Sequence, residues 1–378
     1  MTTTTLSQTV SIPHKELVDT FSQVIPIVPS KGVKDILECV KVEVSNSTFS
    51  VTATDLEVAI RSHAPVENPT NNFSFVVHAK TLWQVIKNCD SESVEFRVSD
   101  EMVQVRCGFG RFELPTRSVE EFPDTTAFDR DGHTHKVAAG VLRTLIRRVS
   151  FAADRKEIAG RFALNGVLWE AEGKVIRLIA TDTKRLAVCE GPVEVETPGS
   201  RLIPVKTIAL LERNLPDNDD ESVRVTMRAN ETCFLTDRMA IHTSLIEGKF
   251  PPHDKIIEQA RKSATVRISL PVEGFLTAVR QAAVVTDEES KRVDLKFQAG
   301  RVTLKARGAE TGSSEVELAL PDYDGPAVSV AFNPAYLIEH LRALEGEPTV
   351  TLELADKEKP VLFRCGESYT YVVMPLAG

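Results

Sequence analysis

Two short strings set 127 positions apart constrain this chain more than any other feature. Thr52-Ala53-Thr54-Asp55-Leu56-Glu57-Val58 returns as Ile179-Ala180-Thr181-Asp182-Thr183-Lys184-Arg185, followed by Leu186-Ala187-Val188. In both copies one strand-like run enters a Thr-Asp corner and a second leaves it. Other features keep nearly the same interval. Glu121-Phe122-Pro123 returns as Lys249-Phe250-Pro251, and Lys80-Thr81-Leu82-Trp83-Gln84-Val85-Ile86 returns as Lys206-Thr207-Ile208-Ala209-Leu210-Leu211. A weaker third copy of that last segment is Pro334-Ala335-Tyr336-Leu337-Ile338-Glu339-His340-Leu341. An interval near 126 is about one third of 378 residues. It is far longer than a solenoid repeat, so each unit holds its own core. The chain therefore reads as three tandem domains, 1–128, 129–256 and 257–378.

Each unit repeats one order of elements. In the first, Leu17, Phe21 and Val24 recur at helical spacing, strands follow, and a second helix over 79–88 carries the stripe Leu82, Val85, Ile86, Cys89. Two further strands flank Ser99-Asp100-Glu101 as a hairpin, and Phe112-Glu113-Leu114 ends the unit. The other units offer helices over 138–150, 205–214, 272–283 and 334–344, six in all. Hairpin-rich order without βαβ alternation predicts an α+β class, with two helices per domain packed on antiparallel sheets.

Hydrophobic content of 42% with 26% charged residues is that of a globular chain. No apolar run reaches the ~18 residues of a membrane span. Met1-Thr2-Thr3-Thr4-Thr5-Leu6 has no basic segment leading into an apolar core, so a cytoplasmic location is expected. The six cysteines never form Cys-x-x-Cys, which removes the usual metal spacing and favours buried, reduced thiols. No metal or cofactor is expected.

A net charge of −9 argues against a nucleic-acid partner, but its distribution argues the other way. Arg143 and Arg147 are i, i+4 on the face opposite Leu142 and Leu145, with Arg148 beside them. Lys80 and Lys87 share one outer face, Lys206 and Arg213 another, and Arg280 lies on the 272–283 helix. Acidic residues cluster elsewhere, as in 217–221 and 287–289. One basic helix face is an ordinary solvated surface. Several equivalent ones, brought together by pseudosymmetry, would make a basic lining for a polyanion held by its phosphates.

Three tandem units, Thr-Asp-x-x-Arg-Leu-Ala-Val in the second, Phe-Pro at its end and a terminal Tyr371-Val372-Val373-Met374-Pro375 resemble the bacterial replicative sliding clamp family, the beta subunit of DNA polymerase III. The stretch Arg161-Phe162-Ala163-Leu164-Asn165-Gly166-Val167-Leu168-Trp169-Glu170 is also similar, and the likeness covers the whole chain. It implies a head-to-tail homodimeric ring whose helices line a hole around double-stranded DNA, held without regard to sequence. Lys31 would add to that lining.

The resemblance also implies a partner pocket between domains two and three. Its wall would comprise Leu164, Thr181, Thr183, Lys184, Arg185, Leu186, Pro251, Lys255, Ile256, Val372, Val373, Met374, Pro375 and Leu376. The replicative polymerase, the clamp loader and other proteins with a clamp-binding motif would insert a short segment with bulky apolar anchors, and Arg185 would hold a ligand carbonyl or carboxylate. Where the family commonly has glycine and histidine, this chain has Thr183 and Lys184; the second corner has Lys255, and the tail ends Leu376-Ala377-Gly378. Partner preference would shift accordingly. At the subunit joint, Phe112 and Leu114 would face Val284 and Val285.

An enzyme reading finds no Gly-rich phosphate loop, nucleophile elbow or His-Glu-x-x-His. His133-Thr134-His135 lacks a third ligand and reads as solvated. The remaining alternative is a scaffold with the same pocket that does not close into a ring.

Overall fold

The structure is a computed structural model that describes residues 8–376 apart from 46, 67–71, 100, 126–127, 129–133, 155–162, 217, 288–290 and 357. Phe162, His133, Glu288, Glu289 and the Ala377-Gly378 tail therefore lie outside the described residues. The described residues hold seven α-helices: α1 His14–Val24, α2 Ala79–Lys87, α3 Ala139–Val149, α4 Val205–Asn214, α5 Asp254–Ser263, α6 Val272–Ala283 and α7 Pro334–Ala343. Six match the sequence expectation; α5 was missed. It follows the Phe250-Pro251 corner and buries only Ala260 completely, so it lacks the wide apolar stripe that reveals the others.

The same stripe shapes the other six. Leu17, Phe21 and Val24 are buried on α1, Leu142, Leu145, Ile146 and Val149 on α3, and Phe275, Val279 and Ala282 on α6. Caps close several ends. Asn333 accepts the Ala335 N–H at 3.0 Å ahead of Pro334 in the first position of α7, and His78 accepts the Thr81 N–H ahead of α2.

Residues gather into two compact units, one of 1–138 with 219–245, the other of 139–218 with 246–378. The middle repeat is divided between them because each of its sheets continues a neighbouring repeat's sheet. In the first unit, Val58–Pro65 pairs antiparallel with Met239–Ser244, with Ile60 opposite Ile241. In the second, an eight-stranded antiparallel sheet runs Gly199–Pro204, Gly166–Glu172, Val175–Thr181, Arg185–Pro192, Tyr369–Val373, Val361–Cys365, Thr349–Leu354, Val266–Pro271. A four-stranded sheet, Gly312–Leu320, Gly300–Gly308, Val293–Gln298, Val328–Phe332, completes that unit.

The repeated corner is one hydrogen-bonded device used twice. Thr54 and Thr181 hydroxyls donate to the carbonyls of Val58 and Arg185, and accept the N–H of Leu56 and Thr183. The Asp55 carboxylate accepts from Glu57 and Val58 N–H; Asp182 accepts from Lys184 and Arg185 N–H. Leu56 and Thr183 both take φ values near +75° (79° and 73°), a left-handed conformation that costs a non-glycine residue about 1–2 kcal/mol. The side-chain bonds of the corner offset that strain. Each corner launches the strand that joins its repeat to another.

Candidate functional site

The second unit brings most of the expected pocket together. Arg185–Cys189 pairs with Tyr369–Val373, setting Arg185 opposite Val373 and Leu186 opposite Val372. The ladder continues beyond the strand: Met374 N–H donates to Lys184 O at 2.9 Å, and Leu376 N–H to Ala331 O at 2.8 Å. These bonds fix the C-terminal segment next to Thr183 and Lys184.

Beneath lies an apolar bed of Leu168, Ile179, Leu186, Val188, Leu202, Ala260, Leu362 and Val372, with Ala163, Ile246, Phe250 and Ile257 packed against it. Packing is close at Gly166, where a Cβ would come within 2.8 Å of Ile246 and 2.9 Å of Leu202, so any side chain there would push those two aside. Large apolar side chains remain in solvent at its edge: Met374 is 42% exposed and Ile256 40%. Exposed Lys184 and Lys255 add charge, and Leu164, Pro251, Pro375 and Leu376 are half-buried. Solvent-facing apolar groups over a closed apolar floor, with Lys184 and Lys255 exposed on the neighbouring segments, suit a short peptide with apolar anchors.

Arg185 departs from its expected role. Its side chain is 8% exposed: Nε donates to Asp182 at 3.0 Å, one terminal nitrogen to Glu339 and the other to the Phe151 carbonyl at 2.6 Å. The guanidinium also lies 4.5 Å over the Tyr336 ring. Burial works against its charge, yet the Glu339 hydrogen bond and the nearby Tyr371 and Asp182 raise its pKa above the ordinary arginine value. Its polar atoms are spent within the chain. It positions the corner, the Phe151 turn and α7 instead of holding a ligand carboxylate.

Several residues here gave no sequence signal for the site. Tyr336 and Glu339 sit on the outer side of α7, where a helical pattern marks only the buried side. Tyr371 donates to the Tyr336 carbonyl at 3.2 Å, tying the terminal strand to that helix. His340 is wholly buried between Tyr369 and Tyr371, with ring centroids 5.6 and 4.4 Å away. Its Nδ1 lies 2.9 Å from the Tyr369 hydroxyl, and burial pulls its pKa down to about 3.

Among the expected DNA-facing cations, Lys31, Lys80, Lys87, Lys206, Arg213 and Arg280 are exposed, while Arg143 and Arg147 are half-buried. Arg148 is a correction. It ion-pairs with Glu347, lies 5.9 Å over the Tyr369 ring and is 13% exposed. Being adjacent to Arg147, it sits about 100° further round α3 and points into the unit. Arg342, overlooked in the sequence, is exposed on α7 at the position equivalent to Lys87 and Arg213.

At the expected joint, Phe112 is 39% exposed and Val284 78%, Val285 is half-buried and Leu114 is buried. Gly110–Arg117 pairs with Met102–Cys107, and among the described residues its other edge meets only Val76 and Val77, through Thr116 and Arg117. Gly312–Leu320 likewise ends its sheet, paired only with Gly300–Gly308 among the described residues. No group of three or more metal-binding side chains occurs among the described residues, and no helix is long and apolar enough to cross a membrane.

Comparison with known proteins places these features. Family models for the DNA polymerase III beta subunit match the chain three times: the N-terminal domain over residues 9–126, the central domain over 136–252 and the C-terminal domain over 261–377. A beta sliding clamp of Pseudomonas putida is 27% identical over 375 residues, spanning 97% of this chain and 99% of that protein. The Escherichia coli K12 beta sliding clamp is 25% identical over 370 residues, spanning 97% and 99%. The crystal structure of a DnaN sliding clamp from Pseudomonas aeruginosa bound to griselimycin superposes with a TM-score of 0.89 at 25% identity, covering 98% of this chain and all of that one. The chain belongs to the beta sliding clamp family, the beta subunits of DNA polymerase III, and is a DNA polymerase processivity factor.

Proposed function

We propose that two copies of this chain, each of three domains (1–128, 129–256 and 257–378), close head-to-tail into a ring that encircles and slides along duplex DNA. The observation that carries this reading is a pair of strand edges that have no partner strand among the described residues, Gly110–Pro115 within one unit and Gly312–Leu320 within the other. A free edge attracts another strand, and a closed head-to-tail arrangement satisfies both edges. Phe112 and Val284, apolar and exposed in the single chain, would be covered at that joint.

The exposed cations Lys31, Lys80, Lys87, Lys206, Arg213, Arg280 and Arg342, with the half-buried Arg143 and Arg147, would contact phosphates without reading bases. Polymerase, clamp loader and other partners would dock a short segment on Leu186, Val372 and Met374 beside Ile256. The protein does no chemistry itself; it works in the cytoplasm, on the nucleoid during replication.

Light scattering should give about twice the 41.7 kDa chain mass at micromolar concentration. A single-chain mass would leave the same pocket on a scaffold that does not encircle DNA. Once loaded, the ring should stay on circular DNA in salt that strips ordinary phosphate binders and leave when the circle is cut. Equal retention on both forms would refute encirclement.

A further inference from the structure

Met374 and Ile256, the large apolar side chains left in solvent at the edge of the apolar bed, each have an exposed lysine beside them. The ladder bond from the Met374 N–H to the Lys184 carbonyl, at 2.9 Å, sets Lys184 against Met374. The Lys184 N–H is held as well, donating to the Asp182 carboxylate at 2.9 Å. Lys255 precedes Ile256 in the first turn of α5, and that helix is seated on the bed through Ala260 and Ile257. Both lysines therefore stand on backbone that is fixed relative to the apolar groups, with their side chains in solvent.

Neither lysine makes an ion pair among the described residues, and the carboxylates on these segments are engaged elsewhere. Asp182 serves the backbone of its corner and the Arg185 Nε, and Glu339 serves Arg185. Asp254 pairs with Arg177 at 3.1 Å, and Glu258 with Lys262 at 2.6 Å. Lys249, exposed before Phe250, differs in having exposed Glu247 two residues away as a counter-charge. Lys255 is also badly placed for its own helix. No side chain caps the first turn of α5, so a cation there meets the positive end of the helix dipole. A local rule broken without a compensating contact inside the chain points to a group outside it.

We propose that Lys184 and Lys255 are specificity-determining residues, selecting partner segments that carry an aspartate or glutamate beside the apolar anchor and disfavouring segments with a basic residue there. This rests on the docking of partners at this edge and adds the chemistry of the segment that docks. The apolar bed supplies affinity without regard to charge, since a buried leucine is the same in any partner. The two ammonium groups supply discrimination: an acidic side chain gains a charge pair, and a basic one meets repulsion. Both lysines are in solvent, so each pair is screened and modest, and its mark is a salt-dependent association rate.

The test pans a display library of random peptides against the full-length chain at low salt, then measures the selected sequences by fluorescence anisotropy. The unaltered chain should enrich peptides that combine leucine, methionine or aromatic anchors with aspartate or glutamate. Exchanging that acid for lysine should weaken binding about tenfold, and high salt should erase most of the difference. Lys184→Glu combined with Lys255→Glu should reverse the preference, so that the lysine-bearing peptide binds more tightly than the acidic one. Lys262→Gln, at the far end of α5 where the charge is already paired, should leave the preference as it is. Thermal unfolding should hold in every variant, because all three side chains are exposed. Apolar peptides enriched with no charge bias, or a preference that survives reversal of both lysines, would overturn the proposal and leave the docking edge in place. No enrichment of apolar peptides, or binding that ignores Met374→Ala, would overturn the docking edge and this proposal with it.

Discussion

Asp182 accepts the backbone N–H of Arg185 on one carboxylate oxygen and that residue's side-chain Nε on the other, both at 3.0 Å. The repeated corner and the arginine unique to the second copy are thereby one unit. In the first copy Asp55 makes the two backbone bonds alone, because Val58 stands where Arg185 does. Arg185→Ala should leave Asp182 and Glu339 without their cation and cost about 3–5 kcal/mol in urea unfolding. Arg185→Lys should recover little, since an ammonium cannot reach three partners from a planar fork. Stability unchanged by the alanine variant would show that the arginine is not a structural anchor.

His340 sets an acid limit. Its pKa falls from an unfolded value of 6.5 to about 3, so between those values the unfolded chain binds a proton that the folded chain excludes. Its effect on stability is constant well above pH 6.5 and worsens steadily as pH falls from there toward about 3. His340→Phe should flatten that part of a stability-against-pH curve. Parallel curves for both proteins would exclude the assignment.

The joint can be tested without disturbing the fold. Val284→Asp changes a residue that is mostly in solvent, so the single chain's stability should move by no more than about 0.5 kcal/mol. Sedimentation should nevertheless show the dimer lost, as it should for Phe112→Asp. A variant that remains fully dimeric would place the joint elsewhere.

For DNA, Lys87→Glu, Arg213→Glu and Arg342→Glu should each weaken binding of short duplexes at low salt, uniformly across sequences. Each neutralised contact should lower the log–log salt slope by about 0.9. Arg148→Gln should instead destabilise the second unit, through loss of the Glu347 pair, and leave the slope unchanged.

On the pocket, Met374→Ala and Ile256→Ala remove side chains that are 42% and 40% exposed, so folding should be nearly indifferent. Affinity for a polymerase-derived peptide, read by fluorescence anisotropy, should fall at least tenfold for Met374→Ala. Unchanged affinity in both variants would move the docking surface away from this edge.

Much of this was legible in the chain itself. Helix stripes such as Leu142, Leu145, Ile146 and Val149 mark buried faces directly, because one side of a 3.6-residue period must enter the core. The same logic hid α5, whose contact with the apolar bed is narrow, and it misassigned Arg148. A basic residue next to Arg147 looks solvated on paper, yet its partner Glu347 comes from a segment 199 positions away.

The sequence by itself determined the α+β class, the tandem repeats and the corner, because local periodicity and side-chain-to-backbone bonds reach only a few residues. Only the tertiary structure decided which cations are free and which are spent. Arg185 and Arg213 look alike in a string of letters. One is enclosed by Asp182, Glu339 and the Phe151 carbonyl, while the other stands in water. Desolvation makes a buried guanidinium stable only where such partners converge, and that convergence comes from long-range strand pairing that no local pattern encodes.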